Sequence, residues 1–188
     1  VIYTMVDAYS RLITGVYVGL EGGQYALRLL LQNIVADKVA YCQKYGIEID
    51  AGDWPSHHLP ARILTDRGTE FLSGPLENLC ESYQVEIDTL PAYRPDLKGV
   101  VEKLFDLVQS AYKPLLKGRG VVEPDAQERG APDYRQQSTL DLQQFTGIVL
   151  GCVLFLNAKA VQPGFLRTPE MLAEDVPPVA ACIWQYCA

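Results

Sequence analysis

Two hydrophobic periods alternate along residues 1–116, and that alternation leaves little room for anything but a sheet flanked by helices. Val1 to Val6 and Leu12 to Leu20 are rich in Val, Ile and Tyr and flank a short polar turn, so they read as an antiparallel strand pair that ends at Gly22-Gly23. From Gln24 to Lys44, Leu27, Leu30, Leu31, Ile34, Val35 and Val39 recur at helical spacing, which predicts one long helix with a single buried stripe. Residues 46–61 hold Gly, Pro, Ser, His57 and His58 and read as a loop. A short buried strand is expected over Ile63 to Asp66, a helix over 75–83, a strand over Val85 to Leu90, and a second long helix from Leu97 to about Leu116. That helix carries Val101, Leu104, Phe105, Val108, Ala111, Tyr112 and Leu115 on its apolar side, and Pro114 bends or ends it. The fold expectation is α/β: a mixed sheet flanked by helices, with a C-terminal helical extension.

Beyond Gly118 the character changes. Residues 118–138 are dense in Gly, Pro and charge and read as a mobile connection, which sets off a core over 1–117 from a C-terminal part over 139–188. Leu140 to Ala160 is apolar around its whole circumference, so it is expected to pack on the core or on a partner. Thr168-Pro169-Glu170-Met171 has the form of an N-cap and first turn. Residues 175–188 carry Trp184 and Tyr186, both expected to be partly exposed.

Composition narrows the function without naming it. A hydrophobic content of 48% over 188 residues supplies a sizeable core. The net charge of −7 argues against autonomous nucleic-acid binding, because sequence-independent affinity rests on Lys and Arg neutralising phosphates. A local basic surface from Arg67, Arg94, Lys98, Lys103, Lys113, Lys117 and Arg119 is weighed against an ordinary solvated face. Five cysteines in irregular positions, with no Cys-x-x-Cys pair, fit reduced thiols. Adjacent His57 and His58 are poorly placed to share one tetrahedral zinc. The longest apolar stretch, Ile148 to Leu156, is too short for a bilayer, so no membrane partner is expected.

The candidate chemistry rests on two acids. Asp66 closes the strand-like run Arg62-Ile63-Leu64-Thr65 and opens Asp66-Arg67-Gly68-Thr69-Glu70-Phe71. Glu102 follows Pro91-Ala92-Tyr93-Arg94-Pro95-Asp96-Leu97-Lys98-Gly99-Val100-Val101 at the start of a helix. Carboxylates from distant segments that converge can hold divalent cations for phosphodiester chemistry. Glu102 by itself would read as a solvated residue paired with Lys98 one helical turn away; the flanking motifs decide for a catalytic role. Those motifs, together with Val6-Asp7-Ala8-Tyr9-Ser10-Arg11 and Ile13-Thr14-Gly15, resemble the DDE family of polynucleotidyl transferases, the integrase and transposase catalytic cores of RNase H-like fold. Within it, the Mu and TnsB-type bacterial transposases match best. The resemblance covers residues 1 to about 112.

That resemblance implies a transposase catalytic-core fragment that cuts DNA and transfers the freed 3′-OH ends using two Mg²⁺ or Mn²⁺ ions bound by Asp66, Glu102 and a further Asp. In the family, the sequence like Val6 to Arg11 lies on the second strand, so the first catalytic Asp is expected on a strand upstream of Val1, and the fragment alone is expected to be inactive. Asp7 then reads as a turn former beside Ser10, with a third-ligand role as the alternative. Arg94, Lys98 and Lys103 are the implied DNA contacts, Arg67 is a further DNA-binding candidate weighed equally against a residue that faces solvent, and residues 175–188 resemble the lead-out toward a downstream domain in TnsB-like chains. The implied partners are transposon ends, target DNA, other transposition proteins and further copies on DNA, in the bacterial cytoplasm at the nucleoid. Two other readings stay open: an RNase H-like nuclease or resolvase without strand transfer, and a non-catalytic assembly module.

Overall fold

The structure, a computed structural model, describes residues 1–65, 78, 80–89, 95–119 and 138–188; of residues 89, 95–98 and 100–102 it describes the backbone. The elements are β1 (Ile2–Val6), β2 (Ile13–Val18), α1 (Gly23–Val35), α2 (Lys38–Gln43), β3 (Arg62–Thr65), β4 (Glu86–Thr89), α3 (Pro95–Tyr112), a 3-10 turn (Pro114–Leu116), α4 (Leu142–Ala158), α5 (Pro169–Ala173) and α6 (Ala180–Cys187). Among the described residues the strands form two ladders. β1 and β2 pair antiparallel, Tyr3 opposite Tyr17, while β3 and β4 pair parallel, Thr65 opposite Thr89.

Strand periodicity makes the first ladder two-faced. Tyr3, Met5 and Tyr17 pack toward a cluster of Leu27, Leu30, Leu31 and Ile34 from α1, a cluster that also takes in Ile63 and Ile87 of the second ladder and Val85 just before it. Ile2, Val6, Val16 and Val18 pack on the other cluster with Val108, Tyr112, Leu116, Val149, Leu150 and Val153. Helix α1 thus covers one face of both ladders, and α3 and α4 cover the opposite face of the first. Gly15 permits the close approach of α1 to β2, since a Cβ there would lie 2.5 Å from Ile34 Cγ1.

The outer edge of β2 is closed by side chains. Val16 N–H donates to Asn33 Oδ1 at 2.9 Å, Ser56 Oγ donates to the Thr14 carbonyl at 3.2 Å, and Asn157 takes both groups of Ile13, accepting from its N–H at 2.9 Å and donating to its carbonyl at 3.0 Å. These bonds meet the requirement that buried backbone groups be paired. The outer edge of β1 differs: the antiparallel register turns the N–H and C=O groups of Ile2, Thr4 and Val6 away from β2, and none bonds to another described residue.

Several expectations need correction. The helix expected over 24–44 is two helices, because Ala36 is extended and Asp37 opens α2 by accepting from Ala40 N. Val35, expected in the buried stripe, is 44% exposed, whereas Lys38 is buried. Its ammonium donates to the carbonyls of Asn33 and Ile34 at 2.7 Å and of Ala36 at 3.2 Å, satisfying the end of α1, and lies 5.3 Å from the Trp54 ring. Helix α3 begins at Pro95 and ends at Tyr112; Leu115, expected on its apolar side, is 68% exposed, and Leu116 is buried in its place. Helix α4 buries one side only, and Phe155 is 57% exposed.

Elsewhere the structure matches the expectation. Residues 46–61 form an irregular segment, although Trp54 within it is buried in the main cluster. Residues 78 and 80–82 are helical within the helix expected over 75–83, whose other members except Tyr83 lie outside the described residues, as do residues 120–137 of the expected connection. Thr168 caps α5, accepting from Met171 N at 3.3 Å, with Pro169 in its first turn. Trp184 and Tyr186 are partly buried. All five cysteines are free thiols.

Candidate active site

Strand β3 presents Ile63 and Thr65 to the interior and ends at Thr65, the residue before Asp66 in the chain. Its register against β4 is held by the parallel ladder and, at its exposed start, by Arg62, which donates to Glu86 at 2.8 and 3.0 Å and lies 3.3 Å from Asp88. The hydrogen bond to Glu86 and the charges of Asp88 and Glu86 raise the Arg62 pKa. In this exposed setting the pair fixes register more than it stabilises. Asp66, Arg67, Glu70 and Arg94 lie outside the described residues.

Glu102 lies two turns into α3, where the backbone is described, as is that of Lys98; Lys103 is exposed. What anchors α3 is its second half. Val108 and Tyr112 are buried against α4, and the Tyr112 and Phe145 rings meet edge to face at 5.5 Å. Glu102 is thus carried on an anchored helix, and Asp66 follows in the chain a strand whose alternate residues, Ile63 and Thr65, are buried. Among the described residues no three His, Cys, Asp or Glu side chains gather into a metal site. The donor chemistry fits the expected ions all the same, since carboxylate oxygens are the ligands hard divalent cations take.

Asp7 has a local role. Its Oδ2 accepts from Ser10 N at 2.7 Å and from Ser10 Oγ at 2.8 Å, while its carbonyl accepts from Arg11 N at 2.9 Å. The carboxylate thus organises the β1–β2 turn, in which Arg11 adopts a φ of 61°. Gln162 Nε2 donates to the Ser10 carbonyl at 2.6 Å and ties this turn to the C-terminal part of the chain. His57 and His58 are exposed, their rings edge to face at 5.1 Å, and His58 stacks on Trp184 at 5.7 Å. No helix among the described residues is long and apolar enough to cross a membrane.

Comparison with known proteins adds the following. The family described as the TnsB C-terminal domain matches residues 1–118. Transposon Tn7 transposition protein TnsB of Escherichia coli is 35% identical over 187 residues, which is 98% of this chain; the chain spans 26% of that relative's length. Among solved structures, the HTLV-2 integrase catalytic core domain in complex with magnesium, in a trimeric form, superposes with a TM-score of 0.51 at 16% identity, covering 87% of this chain and 77% of that one. The simian T-cell lymphotropic virus intasome in complex with PP2A regulatory subunit B56 gamma gives 0.55 at 14% identity, over 91% and 47% of the two chains. The catalytic core domain of BIV integrase gives 0.51 at 17% identity, over 93% and 85%. At these identities the likeness to the three viral structures is one of fold: a mixed α/β integrase-core architecture.

Proposed function

Because this chain belongs to the TnsB C-terminal domain family, we propose that it is the catalytic core of a bacterial DNA transposase, one that cuts DNA at transposon ends and joins the freed 3′-OH ends to target DNA. The observation that carries this reading is the 35% identity to a transposition protein over almost the whole chain. The integrase-core architecture agrees with it.

Asp66 and Glu102 serve as carboxylate ligands to Mg²⁺ or Mn²⁺. Ions so held lower the barrier to in-line attack on a phosphodiester and offset the charge of the departing oxygen. Arg67, Arg94, Lys98 and Lys103 neutralise phosphates and set the DNA in register without reading its sequence. The outer edge of β1, to which no described residue bonds, supports a further strand pairing there and bringing the third carboxylate, which leaves Asp7 to its turn. The net charge of −7 supports assembly on DNA through other domains, further copies and other transposition proteins, at the nucleoid of a bacterial cytoplasm.

The test uses the full-length protein with labelled transposon-end DNA in Mg²⁺. Asp66→Asn and Glu102→Gln should each lower both cleavage and end joining by about a thousandfold, as expected when a metal ligand worth several kcal/mol is lost. Cleavage without joining by the unaltered protein would point to a nuclease or resolvase. Absent Mn²⁺ binding, with no change on Asp66→Asn, would point to an assembly module. Residues 1–188 alone should bind the ion weakly and cleave nothing; strand transfer by them would return Asp7 to the metal site.

A further inference from the structure

A groove of about 600 Å³ runs between the end of α3 and the start of α4. Tyr112, Leu116 and Phe145 line it, and so do Leu20, which is 86% exposed, and Leu142, which is 42% exposed. Large aliphatic side chains gathered around one concavity mark an interaction site more than scattered ones do. Its volume suits the enclosure of a few side chains.

Two cations share this groove. Lys113 and Arg119 line it and are exposed, and neither side chain makes a hydrogen bond or ion pair with a described residue. The one acid among the lining residues, Asp141, is already engaged, accepting from Gln144 N at 2.7 Å as the cap of α4. The groove is thus an apolar concavity whose two cations have no side-chain partner among the described residues, on a chain whose net charge is −7.

We propose that this groove docks an acidic amphipathic peptide segment of a partner protein, whose apolar side chains cover Leu20, Leu142 and Phe145 while its carboxylates meet Lys113 and Arg119. Charge complementarity selects this occupant. A DNA backbone offers phosphates to the cations but nothing to cover the aliphatic groups. The mode is the helix-in-groove recognition by which amphipathic segments bind.

The experiment measures fluorescence anisotropy of a labelled synthetic peptide, with Leu and Phe at one helical face and Asp and Glu elsewhere, against the full chain. A control peptide carries Lys at every acidic position. The acidic peptide should bind saturably and the control should not, and rising salt should weaken binding. Lys113→Glu with Arg119→Glu, and separately Leu20→Ser with Leu142→Ser, should each weaken binding by about tenfold or more, with circular dichroism unchanged. Failure of the peptide to bind would overturn the proposal. So would loss of affinity in the charge variant alone, which indicates unspecific attraction, or displacement by a short DNA duplex, which indicates a DNA site. Affinity that rises about tenfold when residues 120–137 are replaced by a Gly-Ser linker would assign the groove to the chain's own segment.

Discussion

Asn157 shows how much one side chain can hold. It is fully buried on α4 and bonds both backbone groups of Ile13, a residue 144 positions earlier, so its amide stands where a neighbouring strand would. Asn157→Leu leaves a buried N–H and a buried carbonyl without partners, and each such group costs about 1–3 kcal/mol. Urea denaturation should show a loss of about 3 kcal/mol with little change in the denaturant slope. Lys38 makes a different kind of prediction. Burial lowers its pKa from 10.5 to about 8, against the opposing influence of Cys42 and Asp37. Below pH 8 the side chain is charged both folded and unfolded. From pH 8 toward 10.5 the unfolded chain binds a proton that the folded chain does not, so this residue's contribution to stability increases with pH. The stability difference between the unaltered protein and Lys38→Met, followed from pH 7 to 10, should shift in favour of the unaltered protein as pH rises; a flat difference would reject the assignment.

At the level of elements, the contact of α1 with β2 is the tightest constraint on packing. A Cβ at position 15 falls 2.5 Å from Ile34 Cγ1, with Leu30 Cδ1 at 3.4 Å and Asn33 Oδ1 at 3.5 Å, so the helix must shift to admit one. Gly15→Ala should lower stability by about 1–3 kcal/mol through overpacking, and the loss should shrink in an Ile34→Ala background, which lacks Cγ1, a coupling a double-mutant cycle would register. Just beyond this contact the expected single helix over 24–44 is divided. Its apolar stripe is real for Leu27, Leu30, Leu31 and Ile34, all buried. The break at Ala36 and Asp37 lets α2 turn away, and Asp37, an N-cap residue type inside an apparent helix, was the local sign of it. That sign was outweighed by the continuing hydrophobic period.

In the whole molecule, the family match ends at residue 118 while the main core does not. Val149, Leu150, Cys152 and Val153 of α4 lie in one cluster with Ile13, Val16, Val108 and Tyr112. Leu12 packs with Ala180 and Ala181 of α6, and Lys159 lies 3.9 Å from Asp53. A fragment of residues 1–117 should therefore fail to fold, giving a collapsed amide proton spectrum and no cooperative thermal transition. A well-dispersed spectrum from that fragment would show that α4 is an appendage after all.

The alternation of strand and helix periods, the cap Thr168-Pro169, the stop at Pro114 and the ordered motifs around Asp66 and Glu102 were legible in the residues themselves, because each depends on neighbours within a few positions. The family followed from those motifs, and the matched domain agrees. The burial of Lys38 and Asn157 was not legible. Their partners come from other elements, and residue types common on surfaces carry no mark of a distant backbone group that needs them. Hydrophobic period sets which face of an element turns inward. Only assembled tertiary structure decides which polar side chain follows it, since that choice is made where an orphaned N–H or carbonyl of one element comes within reach of an amide or ammonium on another.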